Sequence, residues 1–201
     1  MPRALRELLE AVVLALFVFM LIQTSIRNFR VDGSSMHPTL EGGQYLMVNK
    51  AVYFQLDMQR LSRVIPFWRV DQSSPQFVIH PPERRDVIVF HFPRDPSKDF
   101  VKRVIGVPGD EVEIRRGTVY LNGKELKEPS IDHDTSTISP VRLAEKEYFV
   151  MGDNRSSSND SRTWGPVPED HVLGKVWFVY WPVSGLRLLN DISWLTPKPF
   201  R

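Results

Sequence analysis

Residues 99–110 read Asp99-Phe-Val-Lys-Arg-Val-Ile-Gly-Val-Pro-Gly-Asp110, a run rich in β-branched and aromatic residues that ends in turn residues. This composition and this ending are typical of a β-strand. Successive side chains of a strand point to opposite faces, so Phe100, Lys102 and Val104 share one face. A lysine between apolar neighbours is unusual on a face that should be buried, because burial disfavours the charged ammonium. The alternative is a lysine at a strand edge that guards against aggregation.

Similar short runs recur on both sides of this segment. Asp86-Val-Ile-Val-Phe90, Val119-Tyr-Leu121 and Val176-Trp-Phe-Val-Tyr180 are apolar, short and bounded by turn residues, which predicts further strands. Asn122-Gly123 directly follows a strand-like run and predicts a β-hairpin. Since no segment after residue 30 shows a long helical period, the sequence predicts a mainly β fold.

Composition excludes several classes of protein. The 201 residues are 42% hydrophobic, which suffices for one sizeable core and a small subdomain. Lys and Arg number 26 against 24 Asp and Glu, so a nucleic-acid-binding protein is not expected. The chain has no Cys, which excludes a Cys nucleophile, a disulfide framework and a Cys-based zinc site.

The amino-terminal segment contains an uninterrupted apolar run, Ala11–Ile22, within an uncharged stretch that reaches Ile26. With Leu8 and Leu9 the run approaches the ~20 residues that span a bilayer, so a transmembrane helix over about residues 8–26 is expected. A cleavable signal sequence and a buried soluble helix are the alternatives. Two Arg residues lie on each side of the run, so charge alone does not set its orientation.

Two further motifs contain residue types that perform chemistry. Gly33-Ser-Ser-Met-His-Pro-Thr-Leu40 places Ser35 in a turn made rigid by Pro38, where a serine can face a groove with its own N–H free. Met151-Gly-Asp-Asn-Arg-Ser-Ser-Ser-Asn-Asp-Ser-Arg-Thr-Trp-Gly165 is dense in hydrogen-bonding groups and lies between two apolar strands. For either motif taken alone, the alternative is an ordinary surface loop.

Taken together and in this order, the three motifs resemble the sequence boxes of bacterial type I signal peptidases, the S26 serine proteases. The resemblance covers the anchor and the segments 33–40, 43–50, 85–110 and 152–174. It implies an N-terminal segment with one transmembrane helix (1–28), followed by a signal-peptidase-like catalytic β domain (29–110 and 149–201). We read 51–85 as an insertion of unknown role and 111–148 as a small β subdomain.

The resemblance also implies the role of each matched residue. Ser35 is expected to be the nucleophile, Lys102 the general base, and Ser158 the hydroxyl that orients the lysine amine. The Ser35 N–H is expected to be one oxyanion donor. In some relatives a serine supplies a second donor at the position of Gly33, which has no hydroxyl here. The structural ion pairs are expected to involve Asp153, Asp160, Arg162 and Arg103, and the substrate pockets Phe29, Val31, Met36, Leu46, Val48 and Val101.

The expected activity is removal of signal peptides from exported preproteins through an acyl-enzyme, without metal or cofactor. The expected location is the cell membrane, as a single-pass protein with the catalytic domain on the extracytoplasmic face, in contact with lipid and monomeric. Small residues in an alanine-x-alanine pattern are expected before the cleaved bond.

Three other hypotheses compete with this one. A Ser-His-Asp hydrolase would use one of five histidines, which are His37, His80, His91, His133 and His171. A non-catalytic, membrane-tethered module would bind peptides without cutting them. A self-cleaving repressor with a Ser-Lys dyad would need a DNA-binding helix-turn-helix, and a membrane segment stands in its place.

Overall fold

The computed structural model describes residues 3–50, 53, 55–56, 77–78, 80–127 and 135–189. Most of the predicted insertion 51–85 therefore lies outside the described residues. The same is true of residues 190–201 at the end of the predicted catalytic domain, and of His133.

A long helix precedes an arrangement that is otherwise mainly β. The helix is α1 (Arg3–Ser25). The strands are β1 (Ile26–Arg30), β2 (Tyr45–Asn49), β3 (Gln55–Leu56), β4 (Phe77–Val78), β5 (Val87–Phe92), β6 (Asp95–Gly106), β7 (Glu111–Arg115), β8 (Thr118–Leu121), β9 (Lys124–Glu125), β10 (Ile138–Arg142), β11 (Glu147–Met151), β12 (Val167–Pro168), β13 (Val172–Trp181) and β14 (Arg187–Leu188). A one-turn helix, α2 (Ser161–Trp164), and 3-10 turns at Arg155–Ser157, Glu169–His171 and Val183–Gly185 lie between strands. The prediction of a mainly β fold is confirmed.

Helix α1 contains the predicted anchor. Ion pairs one turn apart, Arg3 with Glu7 and Arg6 with Glu10, support its first turns. Apolar side chains further along, such as Leu14 and Phe17, are exposed. Among the described residues, no helix is both long and apolar enough to cross a membrane. The transmembrane anchor is therefore not confirmed.

The main sheet is antiparallel and has the strand order β1-β2-β13-β5-β6-β11-β12, with β14 also paired to β13. Its pairing places the two long strands, β6 and β13, at the centre. Strand β13 pairs with β2 along one edge and with β5 and then β14 along the other. Strand β6 pairs with β5 over residues 99–103 and with β11 over residues 103–106. The outer edge of β6 before residue 103 is therefore left without a partner strand among the described residues.

Alternation along the strands divides the core between the two faces of this sheet. Val87 and Val89 of β5 face one cluster, and Ile88 and Phe90 face the other. The first cluster contains Val31, Met36, Leu40, Leu46, Val48, Val87, Val89, Val176 and Val179. The second contains Tyr53, Ile88, Phe90, Val104, Tyr148, Val150, Trp164 and Val167.

A second, four-stranded antiparallel sheet has the order β10-β7-β8-β9 and is built from strands within residues 111–125 and 138–142. Its β8–β9 hairpin turns at Asn122-Gly123, both at positive φ, so the hairpin predicted there is confirmed. Val112, Ile114, Val119 and other apolar side chains of this sheet pack in one cluster with Ile105, Phe149 and Met151 of the main sheet. The two sheets therefore share a core along β6 and β11.

Candidate active site

The turn that carries Ser35 is fixed by its buried apolar residues and by the backbone. Met36 and Leu40 are fully buried in the first core cluster, and the Leu40 N–H donates to the Met36 carbonyl. Gly33 has a φ of +84°, a conformation that costs glycine little and other residues much more. Ser35 is half-buried at the end of this turn. A side chain at position 33 would be strained, so the local backbone itself favours the glycine found there.

Lys102 reaches the Ser35 hydroxyl from strand β6. Its Nζ lies 2.7 Å from Ser35 Oγ and 3.1 Å from the Val101 carbonyl oxygen, to both of which it donates. The residue is only 4% exposed, and its Nζ lies 5.4 Å from the centre of the Phe100 ring. The two side chains are 67 residues apart in sequence. The fold thus brings an amine and a hydroxyl into direct contact at a largely dry position.

Burial lowers the pKa of the Lys102 amine from an ordinary 10.5 to about 8. The negative charges of Asp160 and Asp153 oppose this change, and the positive charge of Arg162 adds to it. Desolvation is the largest cause because the ammonium loses its water without gaining a carboxylate in direct contact. At pH 7 such an amine is neutral in about one molecule in ten, against about one in 3,000 at the ordinary value.

The loop after β11 holds the Ser35 turn from the other side. The Asn154 N–H donates to the Ser35 carbonyl at 3.0 Å. Gly152 lies against the Ser35 carbonyl and the Ser158 hydroxyl. A Cβ built at position 152 would be 2.4 Å from the Ser35 carbonyl oxygen and 2.2 Å from Ser158 Oγ. Contacts this short do not occur, so any side chain at position 152 would displace the Ser35 turn or Ser158.

Ser158 lies in this loop with its hydroxyl buried. Its Oγ has no hydrogen-bond partner among the described residues, and the structure therefore does not show the predicted bond to the Lys102 amine. A buried hydroxyl without a partner is costly. Its orienting role stays a prediction.

Two buried ion pairs hold the loop in place. Arg103 Nη2 lies 2.7 Å from Asp153 Oδ2, with side chains 4% and 1% exposed. The same guanidinium donates to the Arg85 carbonyl and to Thr39 Oγ1, so it links β6 to the Ser35 turn. Arg162 Nε lies 2.8 Å from Asp160 Oδ1, and Asp160 Oδ2 accepts the Gly152 N–H. The residues predicted to form ion pairs thus come together as Arg103–Asp153 and Arg162–Asp160.

A groove of about 630 Å³ passes over Ser35 and Lys102. Four of the predicted pocket residues line it, namely Phe29, Val31, Leu46 and Val101. Its other lining residues are Arg30, Asp32, Gly33, Ser34, Val89, Lys98, Asp99, Phe100, Ser157 and Asn159. Met36 and Val48, also predicted as pocket residues, lie in the buried core cluster and not on the groove wall.

The Ser35 N–H has no acceptor among the described residues, so it is free to bind a negatively charged oxygen in the groove. The predicted donor position 33 supplies no side-chain group, because it is glycine.

None of the described histidines forms a hydrogen bond to Ser35. His91 Nδ1 lies 2.7 Å from Asp99 Oδ1, and His171 Nδ1 lies 3.1 Å from the His91 carbonyl oxygen. This geometry does not favour a Ser-His-Asp arrangement around Ser35.

Sequence reasoning missed three residues of the site. Gly152, Asn154 and Thr39 were quoted within motifs but were given no role. Gly152 acts through the absence of a side chain, Asn154 donates its N–H to the Ser35 carbonyl, and Thr39 Oγ1 accepts from Arg103. The Gly-Asp-Asn triplet at a loop start was the available signal, since a glycine there permits close approach of two backbones.

Comparison with known proteins supplies the family. The family described as "Signal peptidase, peptidase S26" matches residues 5–181. The chain belongs to this signal peptidase family. A probable signal peptidase I-2 from Synechocystis is 35% identical over 193 residues, which cover 92% of this chain and 77% of that protein. Signal peptidase IB from Staphylococcus aureus is 32% identical over 205 residues, which cover 90% of this chain and 94% of that protein.

Signal peptidases are serine endopeptidases, so the predicted family and the predicted enzyme class are confirmed. A crystal structure of a signal peptidase I from Enterococcus faecalis is similar at 34% identity, with a TM-score of 0.43 over 48% of this chain and 97% of that chain.

Proposed function

We propose that this protein removes signal peptides from exported preproteins with Ser35 as nucleophile and Lys102 as general base. The single observation that supports the dyad is the 2.7 Å contact between Lys102 Nζ and Ser35 Oγ at a buried position. Membership of the signal peptidase family supports the substrate class.

In the proposed reaction the neutral Lys102 amine takes the Ser35 proton while Oγ attacks the scissile carbonyl carbon. The Ser35 N–H binds the oxyanion of the tetrahedral intermediate. When the C–N bond breaks, the Lys102 ammonium donates the proton that it took from Ser35 to the leaving amine. Lys102 then deprotonates a water molecule, which attacks the acyl-enzyme and restores the Ser35 hydroxyl.

We place the substrate in the 630 Å³ groove as an added β-strand. Strand β1 is the end strand of the main sheet, and β6 has a free outer edge before residue 103. Both strands contribute residues to the groove, so both offer backbone groups to a peptide. The branched and aromatic side chains of Phe29, Val31, Leu46 and Val101 narrow the groove, which would favour small residues before the cleaved bond.

We further propose that α1 anchors the protein in the cell membrane with the catalytic domain on the extracytoplasmic face, and that the protein acts as a monomer. The uncharged run from Ala11 to Ile26 and the exposed apolar side chains of α1 support the anchor. Because Ser35 follows the end of α1 by ten residues, the anchor would hold the groove near the bilayer surface.

The test is cleavage of a preprotein with an Ala-x-Ala site by the wild type, Ser35→Ala and Lys102→Ala in detergent. Each variant is expected to lose at least ~10³-fold in kcat. Lys146→Ala, which replaces an exposed lysine outside the groove, is the matched control and should cleave normally. Wild-type cleavage by Lys102→Ala, together with loss of cleavage in a His→Ala variant, would support the Ser-His-Asp alternative instead.

A further inference from the structure

A second groove, of about 640 Å³, is lined by residues from both sheets and is separate from the Ser35 groove. We call it the cationic groove. It is lined by Arg84, Arg85, Arg103, Val104, Ile105, Leu121, Asn122, Lys124, Leu126 and Lys127. Five of these ten residues are cationic and none is acidic. A surface concavity with this composition attracts anions.

Two of the five cations are neutralised by carboxylates behind the groove wall. Arg84 binds Asp110 through two hydrogen bonds of 2.9 and 2.5 Å. Arg103 is paired with Asp153. The Asp110 carboxylate also accepts hydrogen bonds from the Val107 N–H and the Asn122 side-chain amide.

The other three cations, Arg85, Lys124 and Lys127, have no carboxylate partner among the described residues. Their positive charge is therefore uncompensated within the groove. Lys124 and Lys127 are exposed and Arg85 is half-buried, so the three side chains are accessible to a ligand.

Arg85 also has an unfavourable backbone. Its φ is +79°, a left-handed conformation in which glycine would be more stable. The hydrogen bond that Arg85 makes at this turn uses its backbone and not its side chain. The Arg85 carbonyl accepts it from Arg103 Nη1, and any residue at position 85 would offer the same carbonyl. An arginine that is held in this conformation and also lines a groove points to a use for its guanidinium.

We propose that the cationic groove binds a phosphate-type oxyanion through Arg85, Lys124 and Lys127. The planar guanidinium of Arg85 binds two phosphate oxygens together, and the two lysines neutralise the remaining charge. Free phosphate and the headgroup of an anionic phospholipid share this chemistry. The half-buried side chain of Leu126 beside the cations suits the glycerol and upper acyl chain of a lipid. This proposal does not depend on the peptidase reaction.

The experiment compares two arginine-to-glycine variants of the full chain in neutral detergent. Arg85→Gly removes the guanidinium, keeps the carbonyl and relieves the positive φ. Arg116→Gly is matched to it, since Arg116 is an exposed arginine at a φ of +48° in a hairpin turn that does not line the groove. Both lose one positive charge, so a difference between them cannot come from net charge. Thermal unfolding checks that each variant is folded.

Binding is measured by calorimetric titration with inorganic phosphate, short-chain phosphatidylglycerol and short-chain phosphatidylcholine. Saturable binding of phosphate or phosphatidylglycerol is expected, weakened about tenfold or more by Arg85→Gly and unchanged by Arg116→Gly, because a charge-assisted bond is lost. A double Lys124→Gln, Lys127→Gln variant should weaken binding in the same way. Phosphatidylglycerol binding at least about tenfold tighter than phosphate assigns the site to lipid, and equal affinities assign it to free phosphate. The proposal is overturned if neither ligand saturates, or if Arg85→Gly binds as tightly as Arg116→Gly.

Discussion

At the scale of single residues, the properties of the site depend on the burial of one amine. Lys102 is 4% exposed, and its pKa falls to about 8 because the ammonium is desolvated. A shift of this size corresponds to roughly 3 kcal/mol of free energy. That energy opposes folding at pH values where the amine is protonated in both the folded and the unfolded chain.

Replacing Lys102 by Met should therefore stabilise the fold while abolishing activity. The folded amine releases its proton near pH 8 and the unfolded amine near 10.5, so the cost is fully present below pH 8 and disappears as pH rises through that window. We expect Lys102→Met to raise the free energy of unfolding by up to roughly 3 kcal/mol at pH 7. The gain should shrink towards pH 10.5.

Denaturant unfolding at several pH values measures this difference. Lys146→Met, at an exposed lysine, is the control and should show no pH-dependent gain. A Lys102→Met protein that is less stable than the wild type at pH 7 would show that the buried amine is not destabilising.

Sequence reasoning reached the residues of the site but not their contacts. Ser35 was selected because it lies in a rigid turn, and Lys102 because it lies on a strand face that should be buried. The resemblance then assigned the two residues to one site. The Gly-Asp-Asn triplet hinted at a close approach but did not name what approaches Gly152, because one of the two groups, the Ser35 carbonyl, comes from a distant segment. Met36 and Val48 were grouped with pocket residues since neither the resemblance nor alternation distinguishes a groove wall from the core beneath it.

At the scale of elements, the loop between β11 and α2 determines how Ser35 is presented. Gly152 lies between the Ser35 carbonyl and Ser158, and Asn154 donates to that carbonyl. Strands β6 and β11 supply the rigid frame, with Val150 paired to Val104 and Met151 to Arg103. The loop is thus fixed, at its first residue, close to Ser35 and Lys102.

Gly152→Ala should reduce catalysis without unfolding the protein. The added Cβ would lie 2.4 Å from the Ser35 carbonyl oxygen, so the turn must move and the contact between Ser35 and Lys102 must change. A displacement near 1 Å in such a site costs about 10²-fold in rate, and we expect at least that loss in kcat. Gly185→Ala is the control, since its Cβ meets nothing closer than 3.4 Å. Wild-type kcat in Gly152→Ala would refute the packing argument.

Loss of a carboxylate charge should lower stability more at the buried Arg103–Asp153 pair than at the exposed Lys98–Asp95 pair. Asp153→Asn leaves a buried guanidinium without its counter-charge, which is expected to cost about 3–5 kcal/mol of stability. Because Asp153 raises the pKa of Lys102, the same variant should also move the pH–rate profile to lower pH. Asp95→Asn, at the exposed pair with Lys98, should leave the unfolding midpoint unchanged. Equal midpoints for the two variants would contradict the role of the buried pair.

Strands and the β8–β9 hairpin were predictable because their signals are local. Alternating apolar residues and Asn122-Gly123 specify the conformation within a few residues. Strand pairing is different, since β13 meets strands from three separate parts of the chain. Nothing in the local pattern of β13 names those partners.

At the scale of the whole molecule, helix α1 leads directly into β1, the end strand of the main sheet. The core clusters contain no residue of α1 within the described part of the chain. The β fold should therefore not need the helix. The proposed function gives α1 a different purpose, which is to hold the groove at the membrane.

Removal of residues 1–24 should leave a folded β domain that still cleaves a soluble peptide substrate. Ser25 is kept because its carbonyl accepts the Lys50 N–H. We expect the full chain to remain in the membrane fraction after alkaline extraction and the shortened chain to be released. Membrane retention of the shortened chain, or release of the full chain, would contradict the proposed anchor.

The proposed mechanism requires the Lys102 amine, in contact with Ser35, to lose its proton far more readily than an ordinary lysine amine. Its most direct test is the titration of the Lys102 side chain by NMR, with ¹³C-labelled lysine and the signal assigned by its absence in Lys102→Met. We predict a pKa of about 8 for Lys102, well below its ordinary value of 10.5. A Lys102 signal that titrates near 10.5 would contradict the proposed mechanism.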